Sequence, residues 1–222
     1  MTLAQVKKAF LQGNKVEVRK QLKTNGDNAQ ISYNTAVKAF VIASKNVALL
    51  ARSVKDIRDF YPEDSRYFIA RSIALCWFKK IENMSAIQLQ QLKDCLSDKT
   101  FVGEFVGKSE LQNIVKYHKE AIIFHAAVSN TRKENSYCLP NSHQLLAQFN
   151  LDTTPSTSCG FFSDYEELCD KLVEVYQDVS CQPISSSEEG AVLYFVEIQT
   201  AKKGQSATEK VISMAKVKSV QY

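Results

Sequence analysis

Glycine and proline are scarce in this chain, seven and four among 222 residues. That excludes a collagen-like or low-complexity disordered protein. No apolar stretch is long enough for a membrane helix. The longest, residues 121–128 and 191–196, fall far short of the roughly 20 residues such a helix needs. Residues 1–8 hold no apolar signal core, so secretion is not expected. Cysteines stand at positions 76, 95, 138, 159, 169 and 181, none in the CxxC spacing that would suggest a zinc site. Without an export signal they read as reduced thiols, and a cytoplasmic or nuclear location is expected. The net charge is only +4, which permits contact with phosphates without demanding it.

What is present is ordinary for a globular protein: 45% hydrophobic and 23% charged residues. A chain of this length buries a core without disulfides or metals. One domain over residues 1–222 is expected, as a monomer with no membrane association. A helix is expected over 2–11, capped by Thr2 with Gln5 reaching back. Short runs rich in apolar and β-branched residues predict strands at 16–22, 29–34, 40–44 and 47–51. Helical spacing of Phe68, Ile69, Ile73, Cys76 and Trp77 predicts a helix over 64–81, and Leu89, Leu92 and Leu96 another over 85–96. Strands are expected at 100–106 and 121–128, and a short helix at 142–149. The Ser/Thr/Pro cluster at 152–158 reads as a loop. Ser163 with Glu166 reads as a capping box opening a helix through Leu168, Leu172 and Tyr176. Strands at 190–198 and 210–218, joined by a polar turn at 201–208, close the chain. Interspersed strands with hairpin-length links predict an α+β fold with mostly antiparallel sheets.

Five segments can carry chemistry. Lys23-Thr24-Asn25-Gly26-Asp27 puts a Lys at a strand end beside a Gly, which lets the backbone approach a ligand. It also reads as a surface turn. Glu104, within Gly103-Glu104-Phe105-Val106-Gly107, needs a partner or water. Phe124, within Ile122-Ile123-Phe124-His125, is either core or a platform for a base, worth roughly 1–3 kcal/mol by stacking. Glu188 and Glu189, before Gly190, could hold Mg²⁺ through oxygen ligands or be plain loop charges. Lys216 and Lys218 fall on one face of a strand by period-two alternation, with Val217 opposite. They could clamp one anion or protect a solvated edge strand.

The order of these segments is more specific than any one of them. Lys-x-Asn-Gly, Gly-Glu-Phe-x-Gly, an apolar strand with Phe, Glu-Gly-x-Val and Lys-x-Lys resemble the ordered motifs of the covalent nucleotidyltransferases. These are the RNA ligases, DNA ligases and mRNA capping enzymes, and the phage-type ATP-dependent RNA ligases look nearest. Ser44-Lys45 resembles their Ser-Lys element. The resemblance runs from Lys23 to Lys218. It implies an α+β nucleotidyltransferase fold, with antiparallel sheets lining an ATP cleft and helices outside.

The same resemblance implies roles. Lys23 matches the nucleophile that attacks the α-phosphate of ATP. Lys45 matches the basic residue that follows it, Glu104 the acid that contacts the ribose, and Phe124 the aromatic that stacks on adenine. Glu189 matches the acid that supports catalysis and binds metal, and Lys216 and Lys218 the phosphate-binding pair. The implied cofactors are ATP with Mg²⁺ or Mn²⁺. The implied substrate is RNA with 5′-phosphate and 3′-hydroxyl ends, joined through lysyl-AMP. A capping-type guanylyltransferase using GTP, or a non-catalytic nucleotide- or RNA-binding protein, are the alternatives. Asn25 departs from the usual Asp or His of the nucleophile motif, and His125 stands where an acid is common. Few residues precede Lys23 and four follow Lys218, so no downstream RNA-binding or OB domain is expected.

Overall fold

A computed structural model describes residues 3–63, 65–107, 117–131, 137–181, 189–199 and 207–218. The chain is α+β, with two antiparallel sheets in two compact units. Unit 1 comprises Met1–Thr24, Glu134–Pro140 and Thr154–Tyr222; unit 2 comprises Asn25–Lys133 and Asn141–Thr153.

Unit 1 contains helix α1 (Ala4–Leu11), strand β1 (Lys15–Lys23), β7 (Ser156–Phe162), α6 (Tyr165–Cys181), β8 (Gly190–Gln199) and β9 (Thr208–Lys218). Its sheet runs β7-β1-β8-β9. Alternation along each strand sorts the side chains. Val16 and Val18 of β1, Leu193 and Phe195 of β8, and Val217 of β9 enter one apolar core with Val6 and Ala9 of α1 and Leu168, Val175 and Val179 of α6. The opposite face of β1 carries Glu17, Arg19, Gln21 and Lys23.

Unit 2 holds β2 (Asp27–Asn34), β3 (Ala39–Ala43), β4 (Ala48–Ala51), α2 (Val54–Phe60), α3 (Phe68–Ile81), α4 (Ala86–Asp98), β5 (Lys99–Val106), β6 (Ala121–Ser129) and α5 (Ser142–Ala147). The sheet order is β4-β3-β2-β5-β6. Its core is aromatic: Trp77 of α3 meets Phe40 and Phe124 edge-on, and Phe124 meets Phe101 likewise. Such pairs add roughly 0.5–1.5 kcal/mol beyond burial. Ser85 and Gln88 form a reciprocal capping box that fixes the start of α4.

Three local expectations are corrected. The loop expected over 152–158 gives way at Ser156 to β7, an edge strand paired with β1; its Ser and Thr side chains face solvent, so no apolar alternation marks it. Helix α6 is capped by Asp164, whose Oδ1 accepts from the Glu166 and Glu167 amides at 2.8 and 3.1 Å, and not by Ser163. Helix α2 was not expected, because seven residues with one buried side chain, Ile57, carry too little periodicity. Thr2, Asp64, Glu188 and most of the expected turn at 201–208 lie outside the described residues. Among the described residues no helix is long and apolar enough to cross a membrane.

Candidate functional site

In unit 1 the strand register brings distant residues into one row. Gly190, the first residue of β8, pairs with Lys23 at the end of β1 and with Lys218 at the end of β9. Glu189, immediately before it, is only 6% exposed. One carboxylate oxygen of Glu189 accepts from Lys23 Nζ; the other pairs with Lys218 Nζ at 2.7 Å. The Glu189 amide donates to the Lys23 carbonyl at 3.1 Å, so backbone and side chains lock the same step. A buried carboxylate is tolerated because both oxygens meet cations.

Lys216 pairs across the ladder with Val192, which pairs with Gln21 of β1. It therefore shares a face with Lys218 and Lys23, while Val217 points into the core. Gly190 has φ +147°, and a Cβ there would run into the Val217 carbonyl. Only glycine allows the three strands to close at this row. Further along the same face, Arg19 donates to Glu17 at 2.8 Å, to Glu209 at 2.9 Å and to the Pro140 carbonyl at 2.8 Å. Burial opposes its charge, but those bonds outweigh it and hold the guanidinium firmly protonated. Arg19 is thus committed to internal partners, whereas Lys216 is exposed.

Unit 2 carries the remaining expected residues. The Asn25 amide donates to the Tyr117 hydroxyl at 3.3 Å. A Cβ on Gly26 would lie 2.6 Å from the Phe105 carbonyl, so glycine is what lets this turn press against β5. Burial pushes the Asp27 carboxyl up. Glu104 sits in β5, flanked by Asn28 of β2 and Ile123 of β6; it is half-buried on the face away from Phe101 and Phe105. Lys45 is exposed on the turn between β3 and β4, where the Ser44 amide donates to the Val47 carbonyl at 2.8 Å.

Phe124 departs from expectation. It is 1% exposed and pairs with Gly103, not with Glu104. A bulge between Val102 and Gly103 causes this: before it Val102 pairs with Ala126, after it Gly103 pairs with Phe124, and His125 is the extra residue. An unbroken register would have set Phe124 beside Glu104. The shift turns Phe124 into the core and sets Ile123 beside Glu104. The adenine-stacking role expected of Phe124 is therefore not available from the face that carries Glu104. Gly190, Tyr117 and Ile123 were missed by sequence reading. The glycine had a signal in its place after Glu189; the other two had none.

No protein-family model matches this chain, and no curated protein sequence matches it. Solved structures of an RNA ligase from Naegleria gruberi do. One, with pyrophosphate, is 14% identical with a TM-score of 0.52. A lysine-to-methionine mutant of that ligase with AMP and Mn is 12% identical with a TM-score of 0.53, and a lysine-to-alanine mutant with ATP and Mn is 11% identical with 0.52. Each match covers 94% of this chain and 52% of the ligase. At such identity the likeness establishes the fold, which is that of the nucleotidyltransferase-type RNA ligases, as the ordered motifs imply. The chain spans about half the length of the ligase it matches.

Proposed function

We propose that this chain is the nucleotidyltransferase part of an ATP-dependent RNA ligase, with Lys23 as the residue that takes AMP. The observation that carries the reading is the row at Gly190: Lys23 and Lys218 share the two oxygens of one buried carboxylate, Glu189. An ammonium has no lone pair to attack phosphorus. Glu189 is the base within reach of Lys23 Nζ, so the proton passes from Nζ to the Glu189 carboxylate. The freed lone pair forms the N–P bond to the α-phosphorus of ATP, the bond from that phosphorus to the bridging oxygen breaks, and pyrophosphate leaves. Lys216 and Lys218 neutralise charge on the phosphates as it shifts. An oxygen of an RNA 5′-phosphate then displaces Lys23 from AMP, and a 3′-hydroxyl displaces AMP to seal the strand. Glu104 is the group for the ribose hydroxyls, and Lys45 an outlying phosphate contact.

Among the described residues no three His, Cys, Asp or Glu side chains stand together as a metal cage. Mg²⁺ or Mn²⁺ held mainly by water and substrate phosphates needs none, and one carboxylate suffices. Glu189 is the carboxylate that would hold the ion, in place of one of the two ammoniums that occupy its oxygens here. The ion would supply further charge neutralisation on the phosphates.

Incubation with α-labelled ATP and Mg²⁺, followed by denaturation, tests the reading. Label should stay on the chain and move to RNA bearing a 5′-phosphate. Label taken from GTP instead would make it a capping-type guanylyltransferase; label from neither would leave a binding protein.

A further inference from the structure

Two cavities lie side by side in unit 2, on the helix side of its sheet. The first, of about 330 Å³, has Cys76, Trp77, Ile122 and Phe124 in its lining. The second, of about 310 Å³, is lined by Phe149, Asn83, Gln91, Gln148, Asn150 and Gln88, whose Oε1 already accepts from the Ser85 amide. Lys80 and Asn83 belong to both. The two therefore form one groove with a lysine at the junction. Phe124 lines it, and Phe124 and Glu104 point to opposite sides of the sheet, so the groove is separate from the Glu104 face.

Its chemistry is unusual in two respects. Trp77 is fully buried, yet among the described residues its Nε1–H has no hydrogen-bond partner. Buried donors are nearly always satisfied, so a lone one on a residue that lines a cavity calls for an acceptor. Secondly, the groove has no net charge to offer. Lys80 is held by Asp152 at 2.9 Å, and Lys79 and Glu120, of opposite charge, line the same cavity. Burial pushes the Cys76 thiol up to about 11, with Glu120 and Asp152 adding to it, so the thiol stays neutral at physiological pH. Apolar lining residues with one donor, a neighbouring compartment of neutral donor–acceptor amides beside an aromatic ring, and a balanced rim match uncharged heteroaromatic rings, not phosphate.

We propose that this groove takes two successive unpaired bases of single-stranded RNA, one over the Trp77–Phe124 cavity and one in the carboxamide cavity. The proposal rests on the ligase reading for the choice of RNA. Unpaired bases present flat apolar faces and acceptor edges, and Asn and Gln side chains match those edges in pairs of hydrogen bonds. Because the rim is balanced, binding here depends on the base and only weakly on salt, unlike binding led by phosphate contacts.

Trp77 is the only tryptophan, which makes its indole N–H a single reporter. The full ¹⁵N-labelled chain is titrated with a short single-stranded RNA carrying a 5′-hydroxyl, and separately with free nucleosides. A saturable shift of the indole resonance with the RNA is expected, weaker with nucleosides, and little changed by added salt. The double variant Gln91→Ala and Gln148→Ala replaces two exposed side chains; it should weaken RNA binding about tenfold, some 1.4 kcal/mol, and leave adenylylation intact. An unmoved indole resonance overturns the proposal, as does RNA affinity that falls steeply with salt and is equal in the double variant. If the chain is adenylylated but the indole does not move, this proposal fails and the ligase reading stands. If the indole shifts but no adduct forms, the reverse holds.

Discussion

The two sheets handle their polar residues in opposite ways. In unit 1 the bulges lie away from the site, between Phe195 and Val196 and between Val18 and Arg19, and the unshifted stretch from Gly190 to Phe195 gathers Lys23, Gly190 and Lys218 at one step. Charges far apart in sequence meet at Glu189. In unit 2 a single extra residue, His125, breaks the register between β5 and β6, and Glu104 and Phe124 part to opposite faces. Both sheets carry bulges. What differs is whether the pairing at the site can be read by counting. A bulge is invisible to counting, and it decides which face a residue serves.

The sharpest break of this comparison is at Glu189. Glu189→Gln removes the base from the row at Gly190 but keeps its shape. Adduct formation should slow by about 100- to 10,000-fold, measured as initial rate of labelling from ATP. A rate near that of the unaltered chain would mean that Lys23 loses its proton elsewhere. Phe124→Ala probes the other sheet. It should cost about 3–5 kcal/mol of stability, read by denaturant unfolding, while ATP affinity of the folded fraction barely changes. A large loss of ATP affinity with unchanged stability would return Phe124 to the nucleotide. Lys216→Ala removes one exposed cation from the face shared with Lys218. It should slow adduct formation about tenfold, less than a fully buried donor would, with stability altered by at most about 0.5 kcal/mol. Unchanged rates would assign Lys216 to an ordinary solvated strand end.

Much of this was legible in the sequence, for reasons that follow from local chemistry. Alternation placed Lys216 and Lys218 together and Val217 in the core, and the helical spacing through Trp77 gave α3. The constraint on the glycine after Glu189 was not legible, because its cause, the Val217 carbonyl pressed against Gly190 at that glycine's φ of +147°, lies on the third strand. The contact between Lys23 and Glu189 spans 166 positions, and no local rule fixes such a pairing. Strand β7 escaped because an edge strand with solvated Ser and Thr has the composition of a loop. The Trp77 indole escaped as well, since a tryptophan at helical spacing reads as core whether or not its N–H finds a partner.

The central claim is that Lys23, held by Glu189, is the nucleophile. Intact-mass spectrometry after incubation with ATP and Mg²⁺, followed by peptide mapping, addresses it directly. One adenylyl group per chain should appear on Lys23 and be absent from a folded Lys23→Ala variant, whose truncated side chain, 18% exposed, lies outside the apolar core of unit 1. An adduct that persists in Lys23→Ala, or maps to another lysine, would contradict the account.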